Sequence, residues 1–377
     1  MDKPAETTTR VSPLLSGKLT PPQFRHVMKR PRLLERVTAS ADPRLVKICA
    51  GAGFGKTTFM TQLMEHLGGK SIWYQIDNLD SDPVVFLKNL ITGVSSTCEN
   101  VGSRAMSRLE GLEDIKKEGQ SILGVLLDEL NENLESRLTF CIDDYYMFDG
   151  ADFAKDFFSY LIRNLPPLAM VIIASRTEPE LDIQNLKAGG LICEIREDDL
   201  KFSLEELEEL LKDTWNLDIS RATLEKLHKN TEGWAAGLVL LEEHIKGSGD
   251  IPELFDNKQI RHNVYEFLAE EVLSKQADEL QELLVKTSVV EMIDPTICDQ
   301  ALEVKNSAKL LAKAEKKNLF TTRVGDGGLF RYHPLFREFL QSRLFDNYKR
   351  EEIKTIHLNF GKSYEGAGDK EKAIEHF

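Results

Sequence analysis

The run Ala50-Gly51-Ala52-Gly53-Phe54-Gly55-Lys56-Thr57-Thr58 carries the densest chemistry in the sequence. It lies between an apolar run, Leu45–Cys49, and an amphipathic stretch, Phe59–Leu67, the order strand, turn, helix. Its glycines let main-chain N–H groups turn inward around phosphate oxygens, and the helix N-terminus adds partial positive charge. Lys56 can reach the outer phosphates of a nucleoside triphosphate, and the Thr57 hydroxyl can ligate Mg²⁺. The candidate contacts are Gly53, Phe54, Gly55, Lys56, Thr57 and Thr58. The motif G-x-x-x-x-G-K-[ST] is departed from at its first position, where Ala50 stands, a change that negative φ tolerates. A glycine-rich turn with a chance Lys-Thr pair is the bland alternative, and the flanking strand and helix weigh against it.

Two further sets fit such a site. Leu138-Thr139-Phe140-Cys141-Ile142-Asp143-Asp144 is an apolar strand that ends in two carboxylates. Asp143 would hold Mg²⁺ through water, and Asp144 would orient or deprotonate an attacking water. An acidic turn, common after any strand, is the competing reading. Arg176 closes the apolar run Met170–Ala174-Ser175. If that strand lies between the other two, its fixed cation sits near the γ-phosphate and can distinguish triphosphate from diphosphate; otherwise it is a solvent-facing arginine. His333, before Pro334, is a lone histidine, which by chemistry alone is more often structural.

The elements that must position these groups are legible in the pattern. Five short apolar runs, Leu45–Cys49, Ser71–Ile76, Leu138–Ile142, Met170–Ala174 and Leu191–Ile195, alternate with helical stretches such as Phe59–Leu67, Val84–Val94, Ser121–Leu134 and Phe153–Leu165. Such alternation predicts a parallel sheet covered on both faces, a three-layer α/β domain. After 200 the strands fade. Ser203-Leu204-Glu205-Glu206 reads as a capping box, and helices are expected near 220–229, 232–246, 258–274, 277–286 and 306–317. A hairpin, Leu319–Arg323 and Leu329–Tyr332 about the turn Gly325-Asp326-Gly327-Gly328, precedes a helix at Leu335–Leu344, the outline of a winged helix. Over 350–377, Gly361, Tyr364, Ala373 and Phe377 have tetratricopeptide spacing, and the chain stops inside the second helix, so the reading expects a piece of a longer protein. The fold class is thus α/β followed by α. Expected domains are a lead-in at 1–30, the α/β domain at 31–200, a helical domain at 201–255, a winged helix at 256–346 and the start of a repeat domain at 347–377.

Composition bounds the rest. The 377 residues are 41% hydrophobic and 29% charged, with net charge −14, which excludes a disordered or fibrous chain and argues against nucleic-acid binding by bulk charge. The five cysteines, Cys49, Cys98, Cys141, Cys193 and Cys298, are scattered and never paired as CxxC, so small core residues fit better than zinc ligands or disulfides. No apolar leader and no stretch of membrane-spanning length is seen, so a cytoplasmic location is expected.

In their order, several segments resemble the signal-transducing STAND ATPases, in particular the MalT-type activators of the large LuxR group. They are Ser16-Gly17-Lys18-Leu19-Thr20-Pro21-Pro22, Arg30-Pro31-Arg32-Leu33-Leu34, the phosphate loop, Ile142-Asp143-Asp144-Tyr145, Ala174-Ser175-Arg176 and Leu200-Lys201-Phe202-Ser203. Further along come Thr231-Glu232-Gly233-Trp234-Ala235-Ala236-Gly237-Leu238 and His333-Pro334-Leu335-Phe336-Arg337-Glu338-Phe339-Leu340. The resemblance implies a nucleotide clasped by α/β, helical and winged-helix domains, with Arg30 near the adenine and His333 on the ADP β-phosphate. Ala235 departs from the proline that relatives usually carry. It also implies an ADP-bound closed monomer, an ATP-bound form that self-associates, slow hydrolysis, and an inducer recognised by sensor repeats. Contact with DNA would come only through a C-terminal domain absent here, and no membrane partner is implied. The alternatives are an AAA+-like motor with brisk turnover, or a DNA-binding winged helix with a structural nucleotide.

Overall fold

The computed structural model describes residues 17–24, 27–40, 42–111, 115–239, 268, 272–324 and 328–377. The chain divides into two compact units. One comprises the residues up to Cys49 with Gly55–Leu200, the other Ala50–Phe54 with Lys201–Phe377.

The first unit is a five-stranded sheet of β1 (Leu45–Cys49), β2 (Lys70–Gln75), β3 (Leu138–Asp143), β4 (Ala169–Ser175) and β5 (Ile192–Arg196). Its order is β2-β3-β4-β1-β5, and every pairing is parallel. The strands β3 and β4 are buried along their whole length, as expected of strands covered on both faces. Side chains alternate between faces. Phe140, Ile142, Val171 and Ile173 join one large core, to which Pro83–Thr97, Ile115–Asn133 and Asp152–Arg163 add Phe86, Leu90, Leu126 and Phe158. Helix α1 (Lys56–Leu67) packs on β1, β3 and β4 and buries Phe59, Met60 and Leu63, outside that core. The three layers follow. Strand β4 does lie between β3 and β1, the condition set for Arg176.

Three details differ from the sequence reading. The lead-in is not wholly loose: Lys18 Nζ bonds Asp80 Oδ2 at 2.7 Å and Asp77 Oδ1 at 2.9 Å, and Leu19 packs on the core. The short helices Ser103–Glu110 and Pro295–Leu302 were not anticipated. At eight residues each they carry too few turns to show a clear period. In β1 a charged residue interrupts the apolar run: buried Lys47 pairs with Glu178, and with Glu194 at 2.9 Å.

The second unit is helical with one hairpin. The Ser203 capping box forms, with Glu206 N–H on Ser203 Oγ at 3.2 Å and Ser203 N–H on Glu206 Oε2 at 3.0 Å. Helix α2 (Arg221–Thr231) leads through Glu232 and Gly233 to a helix that begins at 235. The rest of the segment expected at 232–246, most of 258–274, and turn residues 325–327 lie outside the described residues. Helices α3 (Asp278–Thr287), α4 (Pro295–Leu302) and α5 (Ser307–Lys316) precede the antiparallel strands β6 (Thr321–Val324) and β7 (Leu329–Tyr332), then α6 (Pro334–Asn347). This is a winged helix. A helical hairpin, α7 (Arg350–Gly366) and α8 (Lys370–His376), follows. It buries Gly361, Tyr364 and Ala373, and the Phe377 ring lies on Gly361.

Candidate functional site

In the first unit the parallel register brings the C-terminal ends of β1, β3 and β4 together, since Cys49 pairs with Ser175 and Ile142 with Ile173. Ligands of open α/β sheets bind at this edge. Thr57, in the first turn of α1, donates its hydroxyl to Asp143 Oδ2 at 2.8 Å, and the Asp144 amide donates to Asp143 Oδ1 at 2.9 Å. Burial, and then the neighbouring Asp144 charge, push the Asp143 carboxyl up to about 6 despite both hydrogen bonds. A hydroxyl and a carboxylate held this close form the oxygen pair that a hard divalent cation prefers, so the residues fit Mg²⁺.

Lys56 is buried, and that burial, reinforced by the Arg176 charge, lowers its ammonium to about 8 against the pull of Asp143 and Asp144. A bound phosphate would restore the lost stabilisation. Asp144 takes a left-handed conformation, φ 56°, and accepts from Gln75 Nε2 at 3.2 Å. The guanidinium of Arg176 lies over the Tyr146 ring, 4.9 Å from its centroid. The sequence reading names Lys56, Thr57, Asp143, Asp144 and Arg176, which the structure gathers at one edge. It missed Gln75 and Tyr146, which orient two of them. Strand register could have revealed Gln75, but no sequence signal marks Tyr146. Arg30 is buried at the start of Pro31–Thr38, where its Nη1 donates to the Leu200 carbonyl at 3.1 Å and its N–H to Gln62 Oε1 at 3.3 Å.

The first half of the phosphate loop, Ala50–Phe54, belongs to the second unit. Ala50 is absent from the positive-φ residues, whereas Gly53 and Gly55 have φ of 75° and 79°. The Trp234 indole Nε1–H donates to the Ala52 carbonyl at 3.0 Å, and the Ala236 N–H donates to the Gly53 carbonyl at 2.8 Å. The Phe54 ring stacks on Phe320 with centroids 5.8 Å apart, and Phe320 meets Trp234 edge-on at 5.0 Å.

His333 joins this cluster. Its ring stands edge-on to Trp234, centroids 6.0 Å apart, and its Nε2–H donates to the Thr231 carbonyl at 2.9 Å, the same oxygen that accepts the main-chain N–H of Trp234. Burial drives the imidazole down to about 4, so it is neutral at pH 7, and its Nδ1 is buried with no hydrogen-bond partner among the described residues. An orphaned buried nitrogen is the kind of atom a ligand completes.

Fold and site together define a P-loop nucleotide-binding unit joined to a helical and winged-helix unit. Residues 269–352 match the MalT winged helix domain family. The chain is 29% identical over 355 residues to the serine/threonine-protein kinase PknK of Mycobacterium tuberculosis, covering 93% of this chain and 32% of the kinase. It is 26% identical over 373 residues to the HTH-type transcriptional regulator MalT of Klebsiella pneumoniae, covering 96% of this chain and 40% of the regulator. The chain therefore spans between about a third and two fifths of these curated relatives. Among solved structures, a Walker-type ATPase of Pyrococcus abyssi shares the fold with TM-score 0.58 at 14% identity, over 84% of this chain and 96% of that one. A STAND protein with a tetratricopeptide repeat sensor from Pyrococcus horikoshii aligns with TM-score 0.45 at 18% identity, over 94% of this chain and 48% of that one. The chain is thus similar to MalT over nearly its whole length, contains a match to the MalT winged helix domain, and shares the fold of a Walker-type ATPase. Among the described residues no helix is long and apolar enough to cross a membrane.

Proposed function

We propose that this chain is the nucleotide-dependent switch of a signal-transducing regulator. It would bind ADP in a closed resting state and ATP in an active, self-associating state, with slow hydrolysis between them. The observation that carries the reading is the Thr57–Asp143 pair at 2.8 Å, between the first turn of α1 and the C-terminal end of β3, with the buried Lys56 preceding Thr57. Thr57 and Asp143 would hold Mg²⁺, which supplies charge neutralisation at the β- and γ-phosphates. Lys56 binds the outer phosphates, Asp144 orients a water and accepts its proton, and Arg176 reports whether the γ-phosphate is present. His333, with Nε2 committed to Thr231, has only Nδ1 for a phosphate. A neutral Nδ1 is an acceptor, so this contact would require proton uptake.

The domain division expected from the sequence is part of this proposal: an α/β domain that binds, and helical and winged-helix domains that respond. Inducer and DNA contacts would be made by other regions of the protein, in the cytoplasm. The two named relatives support that separation. One is a kinase and the other a transcriptional regulator, yet each matches nearly all of this chain, as expected of a switch module independent of its output. The DNA-binding alternative is disfavoured by the wing itself, because Arg331 is paired with Glu232 at 2.9 Å and Arg323 with Glu315 at 3.2 Å.

Calorimetric titration of the purified chain with MgADP and MgATP tests the reading. Micromolar or tighter binding of both, with turnover well below the 1 s⁻¹ lower end of typical enzymes, is expected. No uptake of either nucleotide removes the proposal, and brisk turnover transfers it to the motor alternative.

A further inference from the structure

The contacts around Ala50–Phe54 point to a role for a tryptophan that the proposed function does not use. Trp234 is fully buried, and its ring is seated by small neighbours. A Cβ on Gly237 would lie 2.6 Å from the indole, and one on Gly53 would lie 2.8 Å from its Nε1 and 2.5 Å from the Ala236 Cβ. Tryptophan and loop therefore touch with no room for a side chain between them.

The direction of the hydrogen bonds matters more than their closeness. No peptide in the described chain is cis. In a trans peptide the N–H points opposite to the C=O of the same unit. The Ala52 carbonyl is held by the indole, so the Gly53 N–H of that peptide points away from Trp234. The Gly53 carbonyl is held by the Ala236 N–H, an amide in the first turn of its helix that has no intrahelical acceptor, so the Phe54 N–H is likewise turned away. Consecutive amides turned to one side, with a glycine at positive φ among them, form the concave anion-binding arrangement known as a nest.

We infer that Trp234 is a positioning residue for phosphate binding: by gripping the Ala52 carbonyl, its indole N–H aims the Gly53 and Phe54 amides at the phosphates. This rests on the nucleotide-binding reading. It assigns Trp234 to phosphate affinity, and no contact with the base is involved. The Phe320 ring, shared by Trp234 and Phe54, and the Thr231 carbonyl, shared by Trp234 and His333, hold the indole in place.

The test compares the parent with Trp234→Phe, which keeps an aromatic ring and removes the donor. A second variant carries β-(3-benzothienyl)alanine at 234, which keeps the indole shape without its N–H and remains informative if phenylalanine fails to fold. MgADP and inorganic pyrophosphate are titrated into each. Loss of one donor to a buried carbonyl predicts weakening by roughly 5- to 100-fold. The factor is expected to be the same for both probes, because the phosphates alone are affected. A merely structural tryptophan would lower the melting temperature and leave the affinity of the folded protein unchanged. Affinities within twofold of the parent in the isosteric variant overturn the inference, as does weakening for MgADP alone. A parent that binds neither probe overturns the nucleotide-binding reading, and this inference with it.

Discussion

At the strand ends of the first unit, Lys56 and Asp143 are buried with their charges only partly compensated: the lysine is depressed to about 8 and the carboxyl raised to about 6. Around Ala50–Phe54 in the second unit, the contacts are stacked rings and neutral hydrogen bonds from Trp234 and Ala236. The first region is held against an electrostatic cost that a ligand would relieve. In the second the rings and the Ala52 and Gly53 carbonyls are satisfied without one, which leaves His333 Nδ1 and the outward-turned Gly53 and Phe54 amides for a ligand. Function is expected to dominate the effect of changes in the first region, and stability with loop geometry the effect of changes in the second.

The sharpest way to break this contrast is Lys56→Ala. It removes the ammonium that would meet the outer phosphates, so affinity for MgATP is expected to fall about 100-fold, the range of a charge-assisted hydrogen bond or more. Because burial disfavours the charged lysine, the variant without added nucleotide is expected to melt no lower than the parent. Calorimetry and a thermal melt read both. A drop of several degrees would show that Lys56 stabilises the fold and that the contrast is misdrawn.

Gly53→Ala probes the other region. At φ 75° an L-residue is strained by about 1–2 kcal/mol, and its Cβ would press on Ala236 and Trp234 at 2.5 and 2.8 Å. The melting temperature is expected to fall by roughly 4–10 °C even without nucleotide, with weaker nucleotide binding besides. An unchanged melt with weakened binding would place Gly53 with the electrostatic group.

What the sequence made legible follows the same division. Asp143, Asp144 and Arg176 were readable because each lies within two residues of a short apolar run, and the run fixes both strand and edge. Asp143 and Arg176 follow from Leu138–Ile142 and Met170–Ala174 with a shift of one residue at most in the observed strands. The start of α1 at Lys56 rather than Phe59 is a capping matter, because Gly55 in the left-handed region begins the helix earlier than its apolar period shows. The Trp234 contacts were not readable. Their partner Ala52 lies 182 residues away, and Gly-Trp-Ala-Ala-Gly has no spacing that announces a loop carbonyl as acceptor. Resemblance drew attention to the segment for its missing proline, while the working group is the residue before it. For His333 a position could be read but not a tautomer, and the tautomer decides which nitrogen a ligand can meet.

The smallest effect is also the most diagnostic, because the two regions have opposite proton linkage over one pH window. Asp143 titrates near 6 when folded and near the ordinary 3.8 when unfolded. Between those values the native state keeps a proton that the unfolded state has lost, so this group makes stability fall as pH rises. His333 titrates near 4 when folded and 6.5 when unfolded. There the unfolded state holds the extra proton, and stability rises with pH through the same window. Each slope amounts to at most about 3 kcal/mol in total, and in the parent they oppose. If both units melt together, the melting temperature should be nearly flat from pH 4 to 6.5. Asp143→Asn should then unmask a rise with pH, and His333→Gln a fall. If the units melt separately, each transition should carry its own sign in the parent. Calorimetric scans across this window check both cases. A His333→Gln profile that still rises would mean that the imidazole is not held neutral by its burial beside Trp234, and the aromatic cluster would then have to be counted among the charged groups.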